Sequence, residues 1–194
     1  MIIRVVRSAL LVGTLVLTGC DGEVDEPSTL PDVAATSPAS TPTPTESPTV
    51  APPVEPDDAH EYSADGVEAF TLFAIEVINH AYQTNDVTYL EQVMTPDCQA
   101  CANTVQRLDT IREAGGQIDG GQMLPGLVSV SGPTEGVQTS AGVELHVSAS
   151  QTINGEGQVT NTEADRNVYF VFNLAREDNQ WKLDEVLQSS DGLP

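Results

Sequence analysis

The chain is 194 residues long and carries seven Lys/Arg against 29 Asp/Glu, a formal net charge of −22. So acidic a chain repels nucleic acid and anionic lipid headgroups, which argues against DNA or RNA binding and against direct adsorption to a membrane surface. The acids are spread along the chain with no block of five, so the charge reads as a solubilising surface that also attracts cations or basic partners.

The first element is an export signal. Arg4 and Arg7 give a basic start, and Ser8 to Leu17 an apolar run of about ten residues, too short to span a bilayer. Leu17-Thr18-Gly19-Cys20 closes it with a small residue ahead of a cysteine, a pattern that resembles the bacterial lipobox. Residues 1–19 are therefore expected to be removed as a lipoprotein signal peptide, leaving Cys20 as the lipidated first residue. Acyl chains such as palmitate meet the two-signal requirement for stable anchoring, at about 0.8 kcal/mol per buried methylene. The expected localisation is the extracytoplasmic face of the cell membrane, with a mature chain of five bases facing 29 acids.

From Asp21 to Asp58 the chain holds nine of the thirteen prolines, with Thr, Ser, Ala and acids between them and no aromatic residue. Such a stretch buries too little apolar surface to offset its ordering entropy, so residues 20–58 are expected to be a disordered tether of polyproline II character. Extended, it reaches on the order of 100 Å, enough to lift a domain into a thick cell wall. Thr41 to Thr45, alternating Thr and Pro, resembles O-glycosylated stalks as well as plain linker.

Residues 59–194 are the size of one domain with a core of its own. Asp65 and Glu68 make a capping pair, and Phe70, Phe73, Ala74, Val77, Ile78, Ala81 and Tyr82 recur at three and four residue spacing, predicting a helix from about Asp65 to Gln83. Asp86 caps a short second helix carrying Val87, Leu90, Val93 and Met94. Thr95-Pro96-Asp97 starts a third, with Cys101, Val105, Leu108 and Ile111 inward, which ends at Gly115-Gly116. The period then changes to two. Leu124 to Val130 is a first strand, and Val143, Leu145, Val147 and Ala149 alternate with polar residues as a half-buried strand does, with Asn154-Gly155 following as a hairpin signal. Val168 to Leu174 is apolar on both faces, as in a central strand, and Trp181, Leu183 and Leu187 mark the last. Three helices followed by about four antiparallel strands predict an α+β fold in which one sheet face buries the helices.

The run His80 to Asp86, then Leu90 and Met94, Thr95-Pro96-Asp97-Cys98-Gln99-Ala100-Cys101-Ala102, and the pairs Gly115-Gly116 and Gly120-Gly121 resemble an actinobacterial lipoprotein family, domain-of-unknown-function family 6318. The resemblance implies a cone-shaped fold like that of ketosteroid isomerase and nuclear transport factor two, with helices closing over a curved sheet. It implies no activity, because that architecture hosts enzymes, binding modules and scaffolds alike.

Once Cys20 is lipidated, Cys98 and Cys101 are the two cysteines left, and an even count in an exported domain favours a disulfide between them. A bridge over so short a loop is worth roughly 2 kcal/mol and would clip the start of the third helix. The alternative is a thiol oxidoreductase, since Cys-x-x-Cys at a helix N-terminus lowers thiol pKa, although the βαβ context of thioredoxin-like sites is missing. Glu76 with His80, and Glu144 with His146, are pairs on shared faces. Two ligands without a third do not make a zinc site, so each pair reads as a solvated face, and no metal or cofactor is expected. Tyr82, Tyr169 and Trp181 are candidates for the mouth of a cone cavity, with core packing as the competing reading.

The functional expectation is thus a membrane-anchored surface lipoprotein whose domain is a non-catalytic binding or interaction module with no catalytic residues assigned. Its partner would be an envelope protein or a small molecule, with a homodimer through the sheets left open. The alternative is a cone-fold enzyme of the isomerase or dehydratase type with a buried acid such as Glu76 or a tyrosine as base.

Overall fold

The computed structural model describes residues 50–189, so the expected signal peptide, Cys20 and the expected tether up to residue 49 lie outside the described residues. The folded part starts ahead of Ala59, the expected domain boundary. Asp57–His60 is a 3-10 turn closed by Ala59 N–H donating to the Pro56 carbonyl at 3.1 Å, and Ala59 is fully buried. Two long-range bonds hold this stretch in place. Arg176 Nη2 donates to the His60 carbonyl at 2.8 Å and Trp181 Nε1 to the Glu61 carbonyl at 3.0 Å. The Arg176 guanidinium also lies 4.8 Å from the Trp181 ring and 5.3 Å from that of Tyr62, within cation–π range of both.

Helix α1 is Ala64–Thr84. Its cap is Ser63, whose hydroxyl accepts from Gly66 N–H at 3.0 Å, and not the expected Asp65 and Glu68 pair. Position 66 shows why the helix starts there. A β-carbon on Gly66 would sit 2.3 Å from the Glu61 carbonyl oxygen, so glycine lets the incoming chain close against the first turn. Val67, Phe70, Ala74, Val77, Ile78 and Ala81 follow as a buried stripe, and Phe73 and Ile75 widen it to more than half the circumference. Asn85, in the left-handed region at φ 54°, ends the helix.

Helix α2, Thr88–Val93, is one and a half turns, and Asp86 Oδ1 accepts from Thr88 N–H at 3.0 Å at its start. Helix α3, Gln99–Glu113, begins later than its Thr-Pro-Asp signal. Thr95 is occupied elsewhere: its N–H donates to the Leu183 carbonyl at 2.8 Å and its hydroxyl to Asp184 Oδ1 at 3.0 Å. Gly115, at φ 67°, and Gly116 close α3 with bonds back to the Arg112 and Ile111 carbonyls.

The strands are β1 Gln117–Gly120, β2 Met123–Ser131, β3 Thr139–Val147, β4 Ser150–Ile153, β5 Val159–Glu163, β6 Arg166–Glu177 and β7 Gln180–Ser189. Four of them form the expected antiparallel sheet, in the order β2-β3-β6-β7, with β6 central as its apolar run predicts. The other three form a second sheet, β1-β4-β5, that the alternation does not reveal because these strands are four or five residues long and mostly polar. On β3, Val143, Leu145 and Val147 are buried while Glu144 and His146 are exposed. Helix α1 packs on β2 and β3, and α3 on β7. Phe70, Val77, Val143, Leu145, Phe172, Trp181 and Leu183 make the centre of the core. The fold is α+β, with helices on one face of an antiparallel sheet.

The two candidate caps of α1 are separable. Ser63→Ala is expected to lower unfolding stability by about 1 kcal/mol in denaturant titration, the usual cost of a lost N-cap. Asp65→Ala should cost only about 0.3 kcal/mol through the helix dipole. The reverse order would place the cap at Asp65.

Candidate functional site

Where α1, α2 and α3 close over the sheet they leave a cavity of about 150 Å³. Ile78 and Tyr82 come from α1, Leu90 from α2, Ala100, Cys101 and Thr104 from α3, Met123 from β2, Phe170 and Phe172 from β6, and Val186 from β7. The alternation of β6 explains the floor. Phe170 and Phe172 are two apart and so face the helices together. Among the described residues no carboxylate, imidazole, ammonium or guanidinium lines the space. Its polar groups are two hydroxyls, and that of Thr104 is spent on the Ala100 carbonyl at 3.0 Å, as a threonine in a helix interior commonly does.

Cys98 and Cys101 stand at the edge of this cavity. Their sulfurs are bonded, with Cα atoms 5.3 Å apart, and Cys98 Sγ also accepts from Cys101 N–H at 3.3 Å in the N-cap position of α3. Cys98 is fully buried and Cys101 nearly so, which shields both sulfurs from attack by the thiolate of a partner protein. In this position the pair ties the first turn of α3 together and supplies cavity wall through Cys101.

The three aromatic candidates for one pocket are not brought together. Tyr82 lines the cavity. Trp181 is 2% exposed and sits by Phe70 and Phe73 in the first half of α1, stacked on Tyr62 with centroids 5.7 Å apart. Tyr169 borders a groove on the outer face of the sheet, since it pairs with Glu144 and both point away from the helices. Period-two counting places residues on faces but does not say which faces meet, and Trp181 and Tyr82 end up at opposite ends of α1.

The two acid and imidazole pairs differ in exposure. Glu76 is exposed, but His80 is not on a solvated face as expected: it is 7% exposed, edge-on to Tyr89 at 5.5 Å, and its Nδ1 has no hydrogen-bond partner. The broad buried face of α1 takes it in. Glu144 and His146 are both exposed on the outer sheet face, with His146 Nδ1 3.0 Å from Asn167 Oδ1. Among the described residues no three or more His, Cys, Asp or Glu gather as metal ligands would. Cavity residues Leu90, Met123, Phe170 and Phe172 carry no local signal of their role. The one clue is the pair of phenylalanines on one face of a central strand.

Two carboxyls are perturbed, both away from the cavity. Hydrogen bonds from the Thr88 side chain and backbone hold Asp86 below its ordinary value of 3.8. Arg166, bonded at 2.9 Å, and then Arg107 hold Glu163 below 4.5 against the opposing effect of its burial. A carboxyl depressed in the folded state stabilises it above the ordinary value and loses that contribution as pH falls through the folded value. Asp86→Asn keeps the capping oxygen but not the titration. Its stability, measured by denaturant unfolding, is expected to fall less steeply than that of the native chain as pH drops below 3.8. Parallel curves would show that Asp86 contributes nothing to acid unfolding.

Comparison with known proteins gives a family and distant structures. The model of a family described as "Family of unknown function (DUF6318)" matches residues 36–187. No curated protein matches. Among solved structures, the chain is similar to the intermembrane space region of the chloroplast protein ARC6, at 14% identity over 66% of this chain and 97% of that one, with TM-score 0.49. An uncharacterized protein with a cystatin-like fold from Caulobacter vibrioides is similar at 12% identity over 65% and 92%, with TM-score 0.42. Aln2 from a Streptomyces species is similar at 12% identity over 68% and 95%, with TM-score 0.44.

Proposed function

We propose, for a chain that belongs to DUF6318, a family of unknown function, the role of a lipid-anchored binding protein of the cell envelope whose domain takes up a small apolar molecule without transforming it. The observation that carries this reading is the uncharged lining of the cavity between the helices and the sheet. Acid–base catalysis needs a group that moves a proton within hydrogen-bond reach of the substrate; Glu76, the acid of the enzyme alternative, is on the solvent side of α1, and Tyr82, the tyrosine in the cavity, has no carboxylate or imidazole beside it among the described lining residues to exchange a proton with. Exchange chemistry at Cys98 and Cys101 needs an approachable sulfur, and both are enclosed. An apolar space of about 150 Å³ suits a guest the size of benzene, held by dispersion and by the release of apolar surface from water. Cys101, Met123 and the two phenylalanines add polarisable surface on its wall.

The anchor rests on Leu17-Thr18-Gly19-Cys20 and the apolar run before it. No described helix is long and apolar enough to cross a membrane. Attachment through lipid on Cys20 is the route this reading assigns.

Each half has its own test. In a lipoprotein-processing host fed labelled palmitate, the native chain is expected to take up label and the Cys20→Ala chain none; equal labelling removes the anchor. With methyl groups observed by NMR, toluene is expected to shift the signals of Ile78, Leu90 and Val186, and Val186→Phe, which fills the space, should abolish the shifts. Absence of any toluene-dependent shift in the native chain would remove the apolar guest.

A further inference from the structure

The outer face of the main sheet carries a different chemistry from the inner one. Tyr169 of β6 pairs with Glu144 of β3, and Asn167 with His146, so these four side chains emerge on one face around a groove of about 820 Å³. Tyr169 does not stand upright on the sheet. A β-carbon on Gly142 would lie 1.7 Å from its Oη and 2.6 Å from its Cζ, so the ring reaches diagonally across β3 and fills the space that a side chain at 142 would occupy. Gly142 is buried by this contact, and Tyr169 itself stays half-buried and borders the groove. The result is an aromatic surface laid along the strands, with planar polar groups beside it.

Those polar groups have free capacity. The Glu144 carboxylate has no hydrogen bond or ion pair among the described residues, and the five Lys and Arg cations of the described chain are engaged elsewhere. Arg107 and Arg166 meet Glu163, Arg112 meets Asp109, Arg176 lies over two rings, and Lys182 donates to the Gln92 carbonyl. When Asn167 Oδ1 accepts from His146 Nδ1, His146 Nε2 is left as an acceptor and Asn167 Nδ2 as a donor. Such a site offers an aromatic face for polarised C–H groups and, around it, a carboxylate, an amide and an imidazole for hydroxyls. A ligand that uses both has an apolar C–H face and a rim of hydroxyl groups.

We propose that this groove binds an uncharged saccharide chain, with Tyr169 as the platform under one sugar ring and Glu144 as the principal hydroxyl acceptor. The volume is in the range that holds a ligand of a few sugar rings. Acidic glycans are excluded by the unpaired Glu144 and by the negative charge of the whole chain. The groove is assigned binding without cleavage, because glycoside hydrolysis of the usual kind takes two carboxyls flanking the scissile bond, and among the described residues Glu144 is the one carboxylate in its lining.

The test is calorimetric titration of the mature protein with neutral hexasaccharides of gluco, manno and galacto configuration, and with hexagalacturonate as the acidic control. At least one neutral chain should bind and hexagalacturonate should not. Tyr169→Ala is expected to weaken the bound neutral chain roughly tenfold, the size of a lost aromatic contact. Gly142→Ala, which displaces the Tyr169 ring but leaves Glu144, His146 and Asn167 unchanged, should weaken it similarly. The toluene-dependent methyl shifts of the inner cavity serve as the control for folding in these variants, and circular dichroism replaces them if toluene does not bind the native chain. Failure of all three neutral chains at millimolar concentration, or equal affinity for native and Tyr169→Ala chains with folding intact, would overturn the assignment.

Discussion

The burial of α1 against the inner face of β2-β3-β6-β7 is the contact on which the rest of the structure depends. Val67, Phe70, Val77 and Ile78 meet Val143, Leu145, Phe172 and Leu183, and each such side chain contributes about 1.5–3 kcal/mol when taken from water. Neither partner has another way to hide this surface. A lone amphipathic helix is marginal in water, and a sheet with one apolar face needs a cover. The other helices are weaker. Helix α2 has six residues, and α3 buries only Cys101 and Leu108 fully, so both take their positions from α1 and the sheet.

This weakness explains the fastenings around α3. Thr95 is bonded to Leu183 and Asp184 of β7, and the Cys98 to Cys101 bridge follows immediately, so the helix is held at its start by backbone, hydroxyl and sulfur together. A helix placed by its end and not by a full apolar stripe need not fill the space beneath it. The cavity lies there, under Ala100, Cys101 and Thr104. A similar division holds the chain entering the domain, where Trp181 and Arg176 grip the carbonyls of Glu61 and His60 and turn a proline-rich segment onto the fold just before α1 begins.

One sheet separates two chemistries because its side-chain period is two. On β3 and β6 the inward set, Val143, Leu145, Phe170 and Phe172, makes core and cavity floor. The outward set, Glu144, His146, Asn167 and Tyr169, makes a polar groove with an aromatic side. A slip of one residue in the pairing would exchange them and put a carboxylate and an imidazole under α1. Register therefore decides the chemistry of both faces. The acidic surface repeats the division at a larger scale, with charge outside and none in the cavity.

Local patterns in the chain were sufficient for the existence and type of the long elements. The stripe of α1, the alternation from Val143 to Val147, the doubly apolar run of β6 and the Gly115-Gly116 stop are each written within one or two turns or strand repeats, where side-chain direction follows from backbone geometry alone. The sequence by itself thus determined the α+β class, the order of helices before strands, and which side of β3 faces water. Tertiary structure alone decided that Ser63 caps α1, that Thr95 serves β7 and not α3, that His80 is buried, and that three short polar strands form a second sheet. It also dispersed Tyr82, Tyr169 and Trp181 to the cavity, the outer sheet face and the core. These outcomes rest on contacts between segments far apart in the chain, such as Thr95 with Asp184, 89 residues away. Periodicity tells each segment which face to bury, and only packing tells it against what.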